Sequence, residues 1–326
     1  MIARPIRALQ AARMISTLVG QSGRKYDVQK VIHPHRKTPS LSICLALCDQ
    51  TPYVVKPVSE SMLEHLHEFR AEFENHPRLR HHVDKIEKEN ILVYPYFKSD
   101  LLALVKNYPS LPMTARKMIL KEIGDTLAEM HEKNWIHLDV KPDNIFVNWH
   151  LDANDEFHLD KVVLGDMDLA LKLKGEKLLN HKLGNAMWRS PEGQLGRGVG
   201  KPSEVFSFAL LCLYVITGVQ AFHLDFPDWD AEPEVVVLVK FLLTFGPLPD
   251  ALVKHVDDAS ARELLTDFWE AVKEADTNTD LAGWTEDEFP NLTDEAKRLI
   301  LRMANLDPAM RASMSEIVKD SYWVSA

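Results

Sequence analysis

The stretch WIHLDVKPDNIFVNW, residues 135–149, sets a dense polar turn between two apolar runs. The turn carries His137, Asp139, Lys141, Asp143 and Asn144. Charged side chains are costly to bury unless a partner or a ligand meets them. A solvated turn would satisfy the charges, but large apolar side chains at both ends tie this one to a core. The pattern therefore favours a functional loop held between two buried segments.

The composition is ordinary for a globular protein, with 326 residues, 46% of them hydrophobic and 26% charged. This length suits one large domain or two lobes. The formal charge of -10 argues against broad nucleic-acid binding, because an acidic surface is repelled by phosphate backbones. Cys44, Cys48 and Cys212 make no disulfide framework and favour a reducing compartment.

No apolar run reaches the roughly 18 residues of a membrane span, so we expect no membrane partner. The longest candidate, FSFALLCLYVITG (Phe206 to Gly218), predicts a buried helix instead. Residues 1–24 form a basic N-terminal extension that contains no acidic residue. This extension is compatible with a mitochondrial presequence, or with an amphipathic segment that docks on the domain or frays. The expected location is cytoplasmic or nuclear, with a mitochondrial one as the alternative.

From Lys25 to Tyr96 the pattern is mostly that of strands. β-Branched and aromatic residues concentrate in KYDVQKVI, LSICLALC, PYVVKPV and ILVYPYF, which turn-forming segments separate. Apolar residues spaced three or four apart predict one helix among them, from about Met62 to Phe73, capped by Ser59 or Ser61. After Lys98 the chain reads as helix and loop. Strands followed by helices predict an α+β fold with two unlike lobes, residues 25–97 and 98–326, and a cleft between them.

Two polar residues outside the turn, Lys56 and Asp166, add to its chemistry. Lys56 lies within the apolar strand YVVK, and Asp166 follows the apolar run VVLG. Together with the D-x-K-x-x-N turn of residues 139–144 they suit phosphoryl transfer. Carboxylate and amide oxygens bind Mg²⁺, lysines neutralise phosphate charge, and a free carboxylate orients a hydroxyl nucleophile.

These motifs resemble those of the eukaryotic protein kinases, and more narrowly the divergent kinase-like proteins of filamentous fungi. The resemblance covers about residues 25–325. HLDVKPDN resembles the catalytic loop, DMD (residues 166–168) the D-F-G motif and WRSPE (residues 188–192) the end of the activation segment. KPSEVFSFA (residues 201–209) resembles the start of the large buried helix, and DPAMRASMSEIVKDSYW (residues 307–323) the closing segment. The resemblance implies a bilobal protein-kinase-like fold, with a small antiparallel-sheet N-lobe carrying one helix and a larger, mostly helical C-lobe.

The resemblance also implies a role for each matching residue. Asp139 accepts or orients the proton of the substrate hydroxyl, and Lys141 stabilises the transferring phosphoryl group. Asn144 and Asp166 hold Mg²⁺. A lysine two places after the aspartate is the serine/threonine pattern, so the implied activity is that of an ATP-dependent protein serine/threonine kinase.

On the nucleotide side, the resemblance assigns Lys56 to the α- and β-phosphates of ATP. Val54, Tyr94 as gatekeeper, Phe97 in the hinge and Phe146 beneath the adenine complete the nucleotide contacts. Pro95 is compatible with the hinge because only its carbonyl is needed there. His137, Glu192 and Arg311 are implied structural residues, with Arg311 paired to Glu192. Glu68, or else Glu64, is the expected partner of Lys56 on the helix. The implied partner is a protein substrate, and the sequence makes no prediction about oligomeric state.

Several positions depart from the kinase pattern. HPHRKTPS stands where a glycine-rich loop is expected, so the close backbone approach to phosphate that glycine permits is missing. His33, His35, Arg36 and Lys37 could offer cations there, but an exposed turn is the preferred interpretation. GQSG (residues 20–23) precedes the first expected strand and is not a displaced copy.

The activation segment departs as well. Leu138 replaces the arginine that reads a phosphate, and residues 171–187 contain no Ser or Thr. Asn185 stands where a threonine ties Asp139 to Lys141, and its amide could substitute. We therefore expect a kinase that needs no phosphorylation of this segment.

Two alternatives remain open. The missing glycine loop favours a pseudokinase that binds nucleotide as a scaffold. A small-molecule kinase of the aminoglycoside or choline type shares an H-x-D-x-x-x-x-N turn but usually lacks Lys141, the SPE segment and its arginine partner.

Overall fold

The computed structural model describes residues 17–223, 232–274 and 280–324. Residues 1–16, which hold most of the predicted N-terminal extension, lie outside this range. The described chain forms two compact units. The first runs up to Asn75 and continues with Arg80–Tyr96, and the second comprises His76–Leu79 and the residues from Phe97 onward.

The first unit is built on an antiparallel sheet, and its alternating apolar residues explain the strands. The strands are β1 (Thr17–Val19), β2 (Lys25–His33), β3 (Ile43–Cys48), β4 (Thr51–Pro57), β5 (Asp84–Ile86) and β6 (Ile91–Pro95). Their spatial order is β1-β2-β3-β4-β6-β5. A core of Tyr26, Ala46, Val55, Ile86 and Val93 covers one face. Side chains that alternate along each strand reach this face together, which is why the strands could be predicted from the sequence.

Strand β1 corrects the predicted N-terminal boundary. Thr17–Val19 pairs with residues 25–27 of β2, so the end of the segment predicted as an extension belongs to the sheet. GQSG is therefore the turn of a hairpin rather than a segment before the first strand. Asp84 on β5 holds this turn by accepting hydrogen bonds from the backbone N–H of Ser22 (3.2 Å), from its hydroxyl and from the Tyr26 hydroxyl (2.9 Å). Burial opposes ionisation of Asp84, but these donors keep its pKa below the ordinary value.

Helix α1 (Glu60–Glu72) follows β4 and begins at Ser59, whose side chain accepts the N–H of Met62 at 3.2 Å. Ser59 is thus the cap, and Ser61 is not. Leu66 and Phe69 form the buried stripe of the helix. The segment that replaces the glycine-rich loop is an exposed turn ending in a short 3₁₀ helix, Pro39–Leu41.

The second unit is mainly helical. Its helices are α2 (Leu101–Asn107), α3 (Met113–Glu132), α4 (Pro191–Leu195), α5 (Lys201–Thr217), α6 (Pro233–Phe245), α7 (Asp250–His255), α8 (Ala259–Glu274), α9 (Asp294–Met303) and α10 (Met314–Ile317). Its strands are β7 (Ser99–Asp100), β8 (Trp135–Ile136), β9 (Ile145–Leu151), β10 (Phe157–Leu164) and β11 (Leu171–Lys172). β9 lies between β10 and β7, while β8 pairs with β11.

Helix α5 is the centre of this unit, as its apolar sequence predicted. Residues Val205–Ile216 are buried except for Ser207, and helices α3 and α9 pack against them. A helix that is apolar on all sides is stable only when other elements surround it. Among the described residues, no helix combines the length and the apolar character that crossing a membrane requires.

Candidate active site

The predicted catalytic turn, residues 137–144, joins β8 to β9 in the second unit. Trp135, Ile136 and Ile145 at its two ends are buried, so the core fixes the turn at both ends as the sequence indicated. His137 is fully buried, and its Nε2 lies 2.9 Å from the carbonyl oxygen of Gly165, just before Asp166. This contact joins the turn to the segment that follows β10.

Asp139 is the most densely bonded carboxylate of the turn. Its Oδ2 lies 2.8 Å from Lys141 Nζ and accepts a hydrogen bond from Asn144 Nδ2 at 2.9 Å. Its Oδ1 accepts the backbone N–H of Asn185 at 3.0 Å. The side chain is 9% exposed, so these donors replace most of the water around the charge. The contacts therefore fix the direction of the carboxylate.

Asn144 is oriented in a way that leaves its oxygen available. Its Nδ2 donates to both the backbone carbonyl (2.8 Å) and the carboxylate of Asp139. The remaining polar atom is Oδ1, an oxygen of the kind that Mg²⁺ prefers. Asp166 lies nearby in the chain fold, because the N–H of Gly165 donates to the Asn144 carbonyl at 2.8 Å. Asp166 is exposed and adopts a left-handed conformation with φ 61°. The donor set of Asn144 and Asp166 therefore fits a divalent cation.

Glu204 at the start of α5 supports the backbone of the turn. Its Oε1 accepts the N–H groups of His137 (2.6 Å) and Leu138 (3.0 Å), and its Oε2 lies 2.8 Å from His131 Nε2. Burial opposes ionisation of this carboxylate, but the neighbouring histidines and N–H donors hold its pKa below the ordinary value. Glu204 lies within the KPSEVFSFA segment, but nothing in the sequence indicated this role.

Leu138 and Asn185 behave differently from the residues they replace. Leu138 is half-buried in a left-handed conformation with φ 64°. The Asn185 side chain caps a 3₁₀ turn by accepting the N–H of Met187 at 3.0 Å, and it is the Asn185 backbone that reaches Asp139. The substitution of a threonine by this amide side chain, which the sequence left possible, is therefore not made at Asp139. The competing local hydrogen bond of an Asn side chain explains the difference.

The activation segment is ordered by contacts of its own. Leu171–Lys172 pairs with β8, and the N–H of Leu173 donates to the Asn134 carbonyl at 2.8 Å. Leu179 and Val199 exchange two backbone hydrogen bonds of 2.9 Å. Backbone hydrogen bonds to β8, Asn134 and Val199 thus order the activation segment.

Glu192 and Arg311 form the pair that the sequence resemblance implied. Arg311 Nη1 lies 2.6 Å from Glu192 Oε1, and Nη2 lies 2.9 Å from Oε2. Both side chains are 0% exposed. Burial alone would raise the pKa of Glu192, but the Arg311 guanidinium lowers it below the ordinary value. The bidentate pair anchors the end of the activation segment to the C-terminal part of the second unit.

The residues predicted to contact the nucleotide fall in both units. In the first unit, Lys56 is half-buried on β4 opposite Leu92, and the buried Val54 lies opposite Tyr94 of β6. In the second unit, Phe97 is buried and its ring lies 6.0 Å from that of Phe146.

The Pro95 carbonyl, expected to be available for adenine, is already engaged. Arg80 donates to it from Nη2 at 2.7 Å and from Nε at 3.3 Å, and its guanidinium carbon lies 5.3 Å from the centre of the Tyr94 ring. An adenine ring bound at the Pro95 carbonyl oxygen would share that oxygen with the Arg80 guanidinium. The sequence contained no signal for this contact.

The glutamate predicted to pair with Lys56 remains a prediction. Glu68 and Glu64 both lie among the exposed residues of α1, whereas Glu72 is half-buried beside the stripe of Leu66 and Phe69. Burial therefore favours Glu72 over the two glutamates that the sequence suggested.

A cavity of about 700 Å³ lies beside the catalytic turn within the second unit. Its lining includes Pro142, Asp143, Met187, Trp188, Tyr214 and Phe222. Burial raises the pKa of the Asp143 carboxyl, and the charge of Lys141 opposes this effect. Burial also raises the pKa of Tyr214 to about 12. The cavity thus combines apolar walls with polar groups from the loop that carries Asp139.

Comparisons with known proteins agree with this geometry. The protein kinase domain model matches residues 49–323, and the chain belongs to the protein kinase domain family. The probable serine/threonine-protein kinase WNK8 of Oryza sativa subsp. japonica is 30% identical over 158 residues, which cover 48% of this chain and 23% of that protein. The serine/threonine-protein kinase ppk23 of Schizosaccharomyces pombe is 26% identical over 246 residues, which cover 74% of this chain and 55% of that protein. The chain thus spans about half or less of the length of these two relatives.

A solved structure confirms the predicted fold class. A chain of the yeast RNA Pol II CTD kinase CTDK-1 complex matches with a TM-score of 0.67 and 14% identity, covering 91% of this chain and 97% of that chain. At this identity the likeness shows the fold alone. The antiparallel sheet with one helix in the first unit and the mostly helical second unit are those of the kinase fold.

Proposed function

We propose that this chain is a Mg²⁺-dependent protein serine/threonine kinase that transfers the γ-phosphate of ATP to a protein hydroxyl. The observation that carries the proposal is the set of contacts around Asp139, which Lys141, Asn144 and the Asn185 N–H hold in one orientation. Phosphoryl transfer depends mainly on positioning and charge stabilisation, and this set supplies both.

Each residue has a distinct part in the proposed reaction. Asp139 orients the substrate hydroxyl and accepts its proton as the hydroxyl oxygen bonds to the γ-phosphorus, while the bond from that phosphorus to the β–γ bridging oxygen breaks and ADP leaves. Lys141 places its ammonium charge against the transferring group, whose negative charge is spread over its three outer oxygens in the transition state. Asn144 and Asp166 would hold Mg²⁺, which when bound neutralises charge on the phosphates. Lys56 would contact the α- and β-phosphates.

The proposed substrate is a protein rather than a small metabolite. Lys141 and the buried Glu192–Arg311 pair belong to the protein-kinase pattern, and the chain has both. The cavity beside Asp143 offers a place for part of a protein substrate next to the phosphate-accepting hydroxyl.

We also propose that activity does not need phosphorylation of the activation segment. Residues 171–187 contain no Ser or Thr, Leu138 cannot read a phosphate, and backbone pairs order the segment. Phosphatase treatment of the purified protein should leave the rate of transfer unchanged. A large loss would contradict this part of the proposal.

The main test is transfer of radiolabelled γ-phosphate to a protein or peptide library by the purified chain. Asp139→Asn should lower turnover by at least about a hundredfold, the range of a lost general base, while nucleotide still raises the melting temperature. Asp166→Ala should abolish the Mg²⁺-dependent rate. Asp155→Asn is the matched control, because Asp155 is exposed and its left-handed conformation suits asparagine.

The pseudokinase alternative predicts a different pattern. Nucleotide would stabilise the wild type without any transfer, and Asp139→Asn would change nothing measurable. Labelling of aminoglycoside or choline in place of peptides would instead support a small-molecule kinase.

Lys56 is tested against a neighbour on the same sheet. Lys56 of β4 and Lys85 of β5 both lie opposite Leu92, on the two sides of β6. Lys56→Met should weaken productive nucleotide binding, whereas Lys85→Met should leave it unchanged. Equal nucleotide kinetics for the two variants would contradict the role of Lys56.

A further inference from the structure

We propose that Arg189 is a positioning residue for Asp139, acting through the peptide group that joins Gly184 to Asn185. The inference rests on the proposed kinase activity, and it adds a residue that touches neither nucleotide nor substrate hydroxyl. It also explains why an activation segment without a phosphate can still hold the carboxylate of the catalytic turn.

The contacts form a short chain. Arg189 donates to the Gly184 carbonyl oxygen from Nε at 3.0 Å and from Nη2 at 2.5 Å. The nitrogen of that same peptide group belongs to Asn185, and its N–H donates to Asp139 Oδ1 at 3.0 Å. A single planar amide thus lies between the guanidinium and the carboxylate.

The planarity of the amide transmits the orientation. In a trans peptide the C=O and N–H bonds lie in one plane and point in opposite directions, so fixing the carbonyl also fixes the direction of the N–H. Two donors from the rigid fork of one guanidinium restrict rotation of this plane more than one donor could. The Asn185 N–H is therefore aimed at Asp139 by Arg189.

The charge of Arg189 acts in the same direction. A cation at the carbonyl oxygen polarises the amide and makes its N–H a stronger donor, because hydrogen bonds in a chain reinforce one another. A stronger donor holds the Asp139 carboxylate more firmly in one orientation.

Helix α6 holds the guanidinium in place. Arg189 Nη1 lies 3.2 Å from Glu234 Oε1, and the two side chains are 14% and 23% exposed. Nη1 of Arg189 thus contacts Glu234 of helix α6, while Nε and Nη2 donate to the Gly184 carbonyl oxygen. Glu234 holds the guanidinium in place but does not itself contact Asp139.

Gly184 allows the segment to approach the catalytic turn. Its φ is +81°, and a Cβ built on it would lie 2.2 Å from the Leu138 carbonyl oxygen and 3.2 Å from Asp139 Oδ1. The chain therefore passes the turn with no room for a side chain. Small displacements of the Gly184–Asn185 peptide would change its hydrogen bond to Asp139 directly.

The test compares Arg189→Met, Arg189→Lys and Glu234→Gln with the wild type in the phosphoryl-transfer assay. We expect Arg189→Met to lower kcat about tenfold, the consequence of losing one charge-assisted contact, with the KM values for ATP and peptide unchanged. Arg189→Lys should recover part of the loss. Glu234→Gln should have a smaller effect, and combining it with Arg189→Met should add nothing further.

Arg197→Met is the matched control, because Arg197, which follows helix α4, forms a comparable ion pair with Asp258 (2.8 Å). It should leave kcat unchanged. Chemical rescue separates positioning from folding: millimolar methylguanidinium should restore part of the activity of Arg189→Ala and none of that of Asp139→Asn. Amide hydrogen exchange at Asn185 should accelerate in Arg189→Met, a readout that needs no activity.

The outcomes distinguish the two proposals. An inactive wild type overturns the kinase activity, and unchanged Asn185 exchange in Arg189→Met would then overturn the role of Arg189 separately. If the wild type is active and Asp139→Asn is not, normal kcat in Arg189→Met overturns the inference alone. A loss of kcat without rescue, with Arg189→Lys as poor as Arg189→Met and unchanged exchange at Asn185, also overturns it.

Discussion

Glu204 Oε1 accepts the N–H of His137 at 2.6 Å and the N–H of Leu138 at 3.0 Å. The carboxylate lies 67 positions after His137 in the sequence, at the start of the buried helix α5. Leu138 adopts φ 64°, a left-handed conformation that costs about 1–2 kcal/mol for a residue with a side chain. The two hydrogen bonds that Glu204 accepts offset this cost, so the shape of the catalytic turn depends on a helix far along the chain.

Replacing Glu204 should therefore affect both stability and turnover. Glu204→Leu leaves two buried N–H groups without an acceptor, and we expect a loss of about 2–4 kcal/mol in the free energy of unfolding together with loss of activity. Glu204→Gln keeps an acceptor oxygen and should retain more of both. Urea unfolding and transfer kinetics on the same samples provide the measurement; equal behaviour of the two variants would show that the carboxylate does not hold the turn.

The buried Glu192–Arg311 pair predicts an asymmetry between single and double variants. Arg311→Met leaves an uncompensated carboxylate and should cost about 3–5 kcal/mol in the free energy of unfolding. Glu192→Met with Arg311→Met should cost clearly less, because neither charge is left unpaired. Chemical denaturation of the wild type and the two variants measures the difference, and a double variant less stable than Arg311→Met would contradict the prediction.

The same pair has a pH signature whose sign follows from the lowered pKa of Glu192. A carboxyl with a lower pKa in the folded state stabilises the fold above its unfolded pKa, and this contribution is lost as pH falls through the folded value. Wild-type stability should therefore decrease on acidification below the ordinary glutamate range. The Glu192→Met/Arg311→Met variant should lack this part of the decrease.

Gly184 and Gly175 form a matched pair for testing close approach. Both have positive φ, at +81° and +60°, but a Cβ at Gly175 meets nothing within 4 Å, whereas one at Gly184 would lie 2.2 Å from the Leu138 carbonyl. Each alanine substitution should cost about 1 kcal/mol of backbone strain. Only Gly184→Ala should also lower kcat, by at least about tenfold, because it displaces the N–H that contacts Asp139. Similar kcat values for the two variants would count against this reading.

His82 in the first unit predicts a second pH effect, because the folded state favours the neutral form of this side chain. Burial, followed by the charge of Arg70 at 2.8 Å, lowers the pKa of His82 to about 4. In the unfolded chain the pKa of His82 has its ordinary value of 6.5, whereas in the folded chain it is about 4. Between these values the unfolded state binds more protons, so stability falls as pH decreases.

His82→Gln keeps an acceptor for Arg70 and removes the titration. The wild type should lose on the order of 1–2 kcal/mol between pH 6.5 and 4 through this group, after allowing for its partial exposure. The variant should show a flatter dependence over the same window, while at pH 8 the difference between the two proteins becomes constant. Unfolding midpoints measured across this range test the prediction, and parallel curves would refute it.

Much of the fold could be predicted from the sequence because its strands and helices follow local patterns of apolar residues. β2, β3, β4 and β6 follow the runs of β-branched and aromatic residues, α1 follows the helical spacing of apolar residues, and α5 follows the continuous apolar run from Phe206 to Gly218. The hairpin turn at GQSG was misplaced because Thr17–Val19 is a three-residue strand, too short to show alternation.

The sequence by itself determined which residues stand in the catalytic turn and in what order, since spacing and side-chain chemistry are local properties. Only the tertiary structure decided what holds them: the hydrogen bonds of Glu204 to the turn, the backbone rather than the side chain of Asn185 at Asp139, and the guanidinium of Arg189 behind that peptide. Such contacts join positions that lie far apart in the chain. They depend on how buried helices bring backbone groups together, and backbone donors and acceptors look the same at every position of a sequence.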